Sequence, residues 1–197
     1  MRKRYDAQTL VQRLNEEIGN QLNPRETLLL GVVLKGLPVA YYLARMNNAV
    51  ENFIPIVAHR PLHMQHHVDS YFPSPEWQTY FQSRLDNCDN LLVADDVVNT
   101  GFTKQRLESI VYSLTREKEV RCRFAALVLN RRNLANPSFI RSSDAFVLRV
   151  NAKEVECDWG LFAVPLWDLP IEKARRRCED YFQRFWLKEQ RFITITY

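Results

Sequence analysis

Glycine is scarce in this chain, and no cysteine pair has metal-ligand spacing. Five Gly and nine Pro among 197 residues exclude collagen-like and low-complexity architectures. The four cysteines, Cys88, Cys122, Cys157 and Cys178, form no C-x-x-C pair, which argues against a zinc ribbon or a thioredoxin-type site. They are also too sparse for the disulfide framework of a small secreted domain. No long apolar run exists: Leu28 to Leu34, broken only by Gly31, is too short to span a bilayer. The N-terminus, Met1 to Leu10, is basic but lacks the apolar stretch of a signal peptide. Charge of one sign is lacking too. The 27 Lys and Arg against 23 Asp and Glu leave +4, too mild to argue for a nucleic-acid partner. With 46% hydrophobic residues, so small a net charge excludes disorder as the main state. The expectation is one soluble, cytoplasmic domain over residues 1–197.

What is present is an alternation of strand and helix patterns. Leu10, Val11, Leu14 and Ile18 give a helical face over Asp6 to Leu22. Thr27 to Val33 reads as a strand buried on both faces, as parallel sheets require. Val39 to Met46 reads as a helix with Pro38 in its first turn. Phe53 to Val57 reads as a strand in which Pro55 suggests an edge or an early position. Residues 58–89 form a long irregular excursion with one helix, Glu76 to Leu85, and such a segment reads as a lid or insertion. Further strands are predicted at Asn90–Ala94, Phe124–Leu129, Ala145–Val150, Trp159–Val164 and Arg191–Tyr197. Helices are predicted at Thr103–Thr115 and Ile171–Gln190. The order predicts an α/β fold, a mostly parallel sheet flanked by helices.

In such sheets ligands sit beyond the carboxyl ends of the strands. At one of these ends, Leu91-Leu92-Val93-Ala94 runs into Asp95-Asp96-Val97-Val98 and then Asn99-Thr100-Gly101-Phe102-Thr103. Two hydroxyls, a glycine and the amides of a helix start make a nest for a phosphate. Two carboxylates beside a phosphate call for something between them, a sugar with free hydroxyls or Mg²⁺. The pattern therefore asks for a sugar phosphate. A receiver-domain reading fails because the acid pair follows the third strand rather than the first. At a second end, Leu34-Lys35-Gly36 offers amides and one cation to a pyrophosphate, while Leu37-Pro38 breaks a Walker A pattern. His59, His63, His66 and His67 could form a metal site, but Pro61 and the absence of nearby acids argue against a tight one. Lys173, Arg175, Arg176 and Arg177 read as a solvated helical face, with an oligomer contact or a phosphate patch as the alternatives.

The segment Leu91 to Thr103 resembles the phosphoribosyl pyrophosphate (PRPP) signature of type I phosphoribosyltransferases. Leu34-Lys35-Gly36 is similar to the pyrophosphate loop of the hypoxanthine-guanine members. Asp158-Trp159-Gly160-Leu161-Phe162-Ala163-Val164-Pro165 looks like their base-stacking segment. The resemblance implies a small hood in the C-terminal part, residues 151–197 with the last helix, and a dimer or tetramer. It also implies that Asp95 and Asp96 hold the ribose hydroxyls, partly through Mg²⁺, and that Asn99 to Thr103 wrap the 5′-phosphate. Lys35 and Gly36 would contact pyrophosphate, Arg131 or Arg132 the exocyclic oxygen of a purine-type base, and an exposed Trp159 its ring. Asn99 departs from the family's usual Asp, which accepts a proton from the base; an amide cannot. Three readings stay open: transfer to a base that needs no such help, transfer with another carboxylate such as Asp158 serving, or PRPP or nucleotide binding without catalysis. Outside the family stands an α/β interaction module.

Overall fold

Continuous apolar runs become central strands because only a sheet covered on both faces removes them from water. In the computed structural model, which describes residues 1–19, 23–33, 35–58, 71–115, 118–159, 169–186 and 188–197, the elements follow in the order β1 (Arg2–Asp6), α1 (Ala7–Gly19), β2 (Thr27–Val32), α2 (Gly36–Met46), β3 (Phe53–Ile56), α3 (Pro75–Leu85), β4 (Asn90–Val98), α4 (Phe102–Thr115), β5 (Arg121–Asn130), β6 (Ala145–Val150), β7 (Glu154–Cys157), α5 (Ile171–Tyr181) and β8 (Phe192–Thr196). Five strands form a parallel sheet in the order β3-β2-β4-β5-β6, with Leu30 opposite Val93 and Ala94 opposite Ala125. The α/β architecture expected from the alternation is the one observed. Pro55 lies in the edge strand β3, where its missing N–H costs little.

The chain steps from β2 outward to β3, then crosses to the other side of β2 for β4. That reversal opens a crevice between the carboxyl ends of β2 and β4, the general ligand position in open α/β sheets. Helix α2 packs on β2 and β4, and α1 packs on α2, β5 and β6. Gly31 lets α2 come close, since a Cβ there would lie 3.0 Å from both Ala40 Cβ and the Phe53 ring. No helix among the described residues is long and apolar enough to cross a membrane.

Several elements differ from expectation. Helix α2 begins at Gly36 rather than Val39, so Lys35 is its N-cap and not part of an open loop. Strands β4 and β5 run past their apolar cores to Val98 and Asn130 because parallel pairing continues there. Helix α5 gives way to a wider π turn, Phe182–Trp186, well before Gln190. The short strand falls at Glu154–Cys157, ahead of Trp159, which itself is in no strand; residues 160–168 lie outside the described residues. The histidines at 59, 63, 66 and 67 lie outside them as well.

A second, antiparallel sheet has the order β1-β8-β7. Two of its strands come from the expected 151–197 segment, and the third is the N-terminal Arg2–Asp6, which no hydrophobic pattern marks. Its charged residues gain strand geometry from pairing with β8, Arg2 opposite Thr196 and Tyr5 opposite Ile193.

The start of α4 is tied down by a buried ion cluster. Lys104, 1% exposed, reaches Glu108 on its own helix and lies 3.2 Å from the Asp144 carboxylate just before β6. Asp144 also accepts the Arg141 N–H at 2.6 Å. Removing one member of a buried pair leaves the other charge poorly compensated. Asp144→Ala is expected to destabilise the protein by about 3 kcal/mol, read as a lower denaturant midpoint with an unchanged slope.

Candidate active site

The carboxyl end of the parallel sheet gathers side chains from three strand ends and from the segment after β7. Lys35 follows β2, and Asp95 and Asp96 lie in the second half of β4, two residues before its end at Val98 and the turn toward Asn99–Thr103. Arg131 follows β5 in a 3-10 turn and is exposed. Cys157 ends β7, and Asp158 and Trp159 come directly after it.

Gly36 and β4 touch through their backbones. A Cβ on Gly36 would stand 2.6 Å from the Ala94 carbonyl oxygen and 2.8 Å from Asp95 Cα. Only glycine permits that approach, and it brings the N-terminus of α2 against the acid pair. The Lys35 carbonyl is held from the other side, accepting a hydrogen bond from the Trp159 indole at 2.9 Å.

Asp95 and Asp96 are both 7% exposed. The Asp95 carboxylate accepts the Asp96 N–H at 2.9 Å, and Asp96 accepts the Val97 N–H at 2.8 Å. Burial first, and the neighbouring Asp96 charge second, push the Asp95 pKa well above its ordinary value, with Lys35 opposing. Two crowded, dry carboxylates of this kind suit a cation or sugar hydroxyls that would relieve the repulsion, and oxygen donors match the preference of Mg²⁺. The Cys157 thiol, missed in the sequence, hydrogen-bonds Asp96; burial and that carboxylate raise its pKa, so it stays a neutral thiol.

After β4 the chain turns at Gly101, which has φ of +85°, and α4 begins at the next residue. A side chain at Gly101 would be strained by that φ and would also meet the Phe139 ring at 2.8 Å. A positive φ just before a helix start is the backbone geometry from which amide nests for anions are built; in this turn the Phe102 N–H donates to Thr100 Oγ1 at 3.5 Å. The Phe102 ring is exposed and 6.4 Å from Phe139.

Asn99 is locked by its neighbours. Its Oδ1 accepts from Asn130 Nδ2 at 3.0 Å and from Asn133 Nδ2 at 2.9 Å. The buried Asn130 cannot flip, because its Oδ1 takes the backbone N–H groups of Ala152 and Arg132, and its Nδ2 also donates to the Ala152 carbonyl. Backbone groups thereby dictate that Asn99 keeps its oxygen occupied, leaving its Nδ2 as the group to meet a ligand.

One expected role is corrected. Trp159 is not an exposed platform for a base: it is 2% exposed and sits in the hydrophobic core, where its large apolar surface and its hydrogen bond to Lys35 hold it. Asp158 is exposed, with Oδ1 accepting the Phe192 N–H at 3.0 Å.

A raised carboxyl pKa weakens folding as pH climbs. Below 3.8, the ordinary value, both states hold the proton; above it, the unfolded chain ionises while buried Asp95 resists. Asp95→Asn removes that penalty and keeps the oxygen that accepts from Asp96. The variant is expected to be more stable than wild type at pH 7, with the gap closing as pH falls through the carboxylate range, measured by urea unfolding across pH.

No family model matches the chain, and no curated protein matches it. Among solved structures it is similar to the xanthine-guanine-hypoxanthine phosphoribosyltransferase of Helicobacter pylori, at 14% identity over 73% of this chain and 80% of that one, with a TM-score of 0.49. It is similar to a hypoxanthine-guanine phosphoribosyltransferase of Bacillus anthracis at 13% identity, over 75% of this chain and 81% of that one, with a TM-score of 0.49. The orotate phosphoribosyltransferase of Aeropyrum pernix stands at 19% identity, over 72% and 70% of the two chains, with a TM-score of 0.47.

Proposed function

We propose that the protein binds PRPP and transfers its phosphoribosyl group to a nitrogenous base, releasing pyrophosphate. The observation that carries this reading is the backbone contact of Gly36 with Ala94 and Asp95, which sets a helix N-terminus and Lys35 against two buried carboxylates. An anion site on one side, an acid pair in the middle and the Gly101 nest beyond it match the three parts of a pyrophosphorylated pentose phosphate. Asp95 and Asp96 would hold Mg²⁺, which when bound supplies charge to offset the departing pyrophosphate.

In this reading the Gly101–Thr103 turn anchors the 5′-phosphate, and the acid pair accepts from the ribose 2′- and 3′-hydroxyls. Lys35 stands ready to neutralise the leaving group as the C1–O bond breaks and positive charge grows on the ring. The protein positions the reactants rather than moving a proton, because Asn99 offers an N–H at the place where a base catalyst would stand. The purine-type acceptor is the finer part of the proposal and rests on the resemblance of Asp158–Pro165, from which the Trp159 platform is now removed.

A second reading, a PRPP- or nucleotide-sensing protein without turnover, is favoured by the occupied oxygen of Asn99. Titration calorimetry with PRPP and Mg²⁺, paired with a pyrophosphate-release assay on a panel of bases, separates the two. Transfer predicts saturable PRPP binding and base-dependent release; sensing predicts binding alone, and absence of PRPP binding sinks both. Asn99→Asp keeps both hydrogen bonds from Asn130 and Asn133 and adds a proton acceptor. It is expected to raise hypoxanthine-dependent release by about 10²-fold.

A further inference from the structure

Three asparagines join the carboxyl ends of β4 and β5, and the chemistry derived so far draws on Asn99 alone. Asn130 closes β5 and is fully buried. Asn133 ends the 3-10 turn that follows and is exposed, as is Asn99. A buried amide in a largely apolar sheet has to find partners for all its polar atoms.

Asn130 finds them. Its Oδ1 accepts the Ala152 N–H at 3.0 Å and the Arg132 N–H at 3.3 Å. Its Nδ2 donates to the Ala152 carbonyl at 3.2 Å and to Asn99 Oδ1 at 3.0 Å. Three of these four partners are backbone groups of fixed polarity, so the fourth bond can run in only one direction. Ala152 is itself held, because the next N–H, that of Lys153, bonds the Thr196 carbonyl of β8 at 2.7 Å. Asn133 repeats the direction from the exposed side, donating to the same Asn99 oxygen at 2.9 Å. Both lone pairs of that oxygen are engaged, and no described residue accepts from Asn99 Nδ2.

We propose that Asn130 is a positioning residue that acts through Asn99, making position 99 a fixed hydrogen-bond donor. The site then selects a ligand that brings a lone-pair oxygen or nitrogen to this position and disfavours one that brings an N–H. The inference rests on the Asn99–Thr103 turn holding PRPP or a nucleotide, as in both readings above, and adds the polarity of the atom it meets. Two sources supply such an atom, the sugar phosphate and the base of a nucleotide. An asparagine free to rotate would serve donors and acceptors alike; one ordered in advance discriminates and loses less entropy on binding.

The test is a double-mutant cycle, read by calorimetry on the whole protein with ribose 5-phosphate and inosine 5′-monophosphate. Asn130→Asp keeps both bonds from the backbone N–H groups but replaces the donor by an acceptor. Asn99 then turns its Nδ2 inward and its oxygen to the ligand. Binding is expected to weaken by about tenfold. In an Asn99→Ala background the same substitution is expected to cost no more than about threefold, the part due to added charge. Loss with both ligands assigns the donor to the sugar phosphate, and loss with the nucleotide alone assigns it to the base; either result supports the inference. Unchanged affinity in Asn130→Asp overturns it. Equal losses in the two backgrounds overturn it as well, because Asn130 would then act structurally rather than through Asn99.

Amide proton NMR of the wild type covers the case in which Asn130→Asp fails to fold. The Asn99 amide, identified by its absence in Asn99→Ala, is expected to exchange fast in the free protein and slowly once ligand saturates it, while the Asn130 amide stays protected throughout. An Asn99 amide that ligand leaves unaffected overturns the inference. If neither ligand nor PRPP binds the wild type, the functional reading falls instead. Exchange in the free protein then decides the lock, with the Asn99 amide slower in Asn130→Asp than in wild type as the supporting result and equal rates as the overturning one.

Discussion

Two carboxylates buried at the end of a central apolar strand impose the condition that the surrounding structure answers. Asp95 and Asp96 would be comfortable in water, yet α2 is pressed so close that Gly36 lies against their backbone. The crowding keeps solvent out, raises the proton affinity of Asp95 and brings Lys35 near as partial compensation. A folded protein that tolerates such a penalty at one place, in the middle of a largely apolar sheet, carries it for something other than stability.

The loops around that point are rigidified by polar contacts that anchor one element to the next. Trp159 ties the region after β7 to the carbonyl of Lys35, and Asn130 joins the end of β5 to Ala152 at the approach to the second sheet. Through its second amide hydrogen the same Asn130 reaches Asn99 in the turn before α4. Lys104 and Asp144 fasten that helix's first turn to the segment before β6. The candidate site is thus built from several strand ends, each held by a buried polar side chain whose partners are backbone groups or opposite charges.

Much of this was legible beforehand where the signal is local. The apolar runs at Leu28, Leu91, Phe124 and Phe146 became parallel strands, and Pro55 marked an edge. The Asp95–Thr103 segment landed at a strand end opening a helix, because a strand, a turn needing positive φ and a helix start each leave marks on consecutive residues. Signals that depend on a distant partner were invisible. Arg2–Asp6 reads as a charged terminus until β8 supplies its hydrogen bonds. Cys157 and Asn130 carry no motif, and their importance comes from Asp96, Asn99 and Ala152, far off in the chain.

Residue chemistry along the chain settled the layered α/β class and the acid-and-nest pattern, since hydrophobic period, glycine conformation and carboxylate placement are properties of neighbouring residues. Folding in three dimensions settled whether Trp159 faces water, which atom of Asn99 is already engaged, and that the basic N-terminus lines a cavity beside the acids. Burial, hydrogen-bond competition and charge summation act between groups brought together only when the sheets close, and no stretch of sequence holds them side by side.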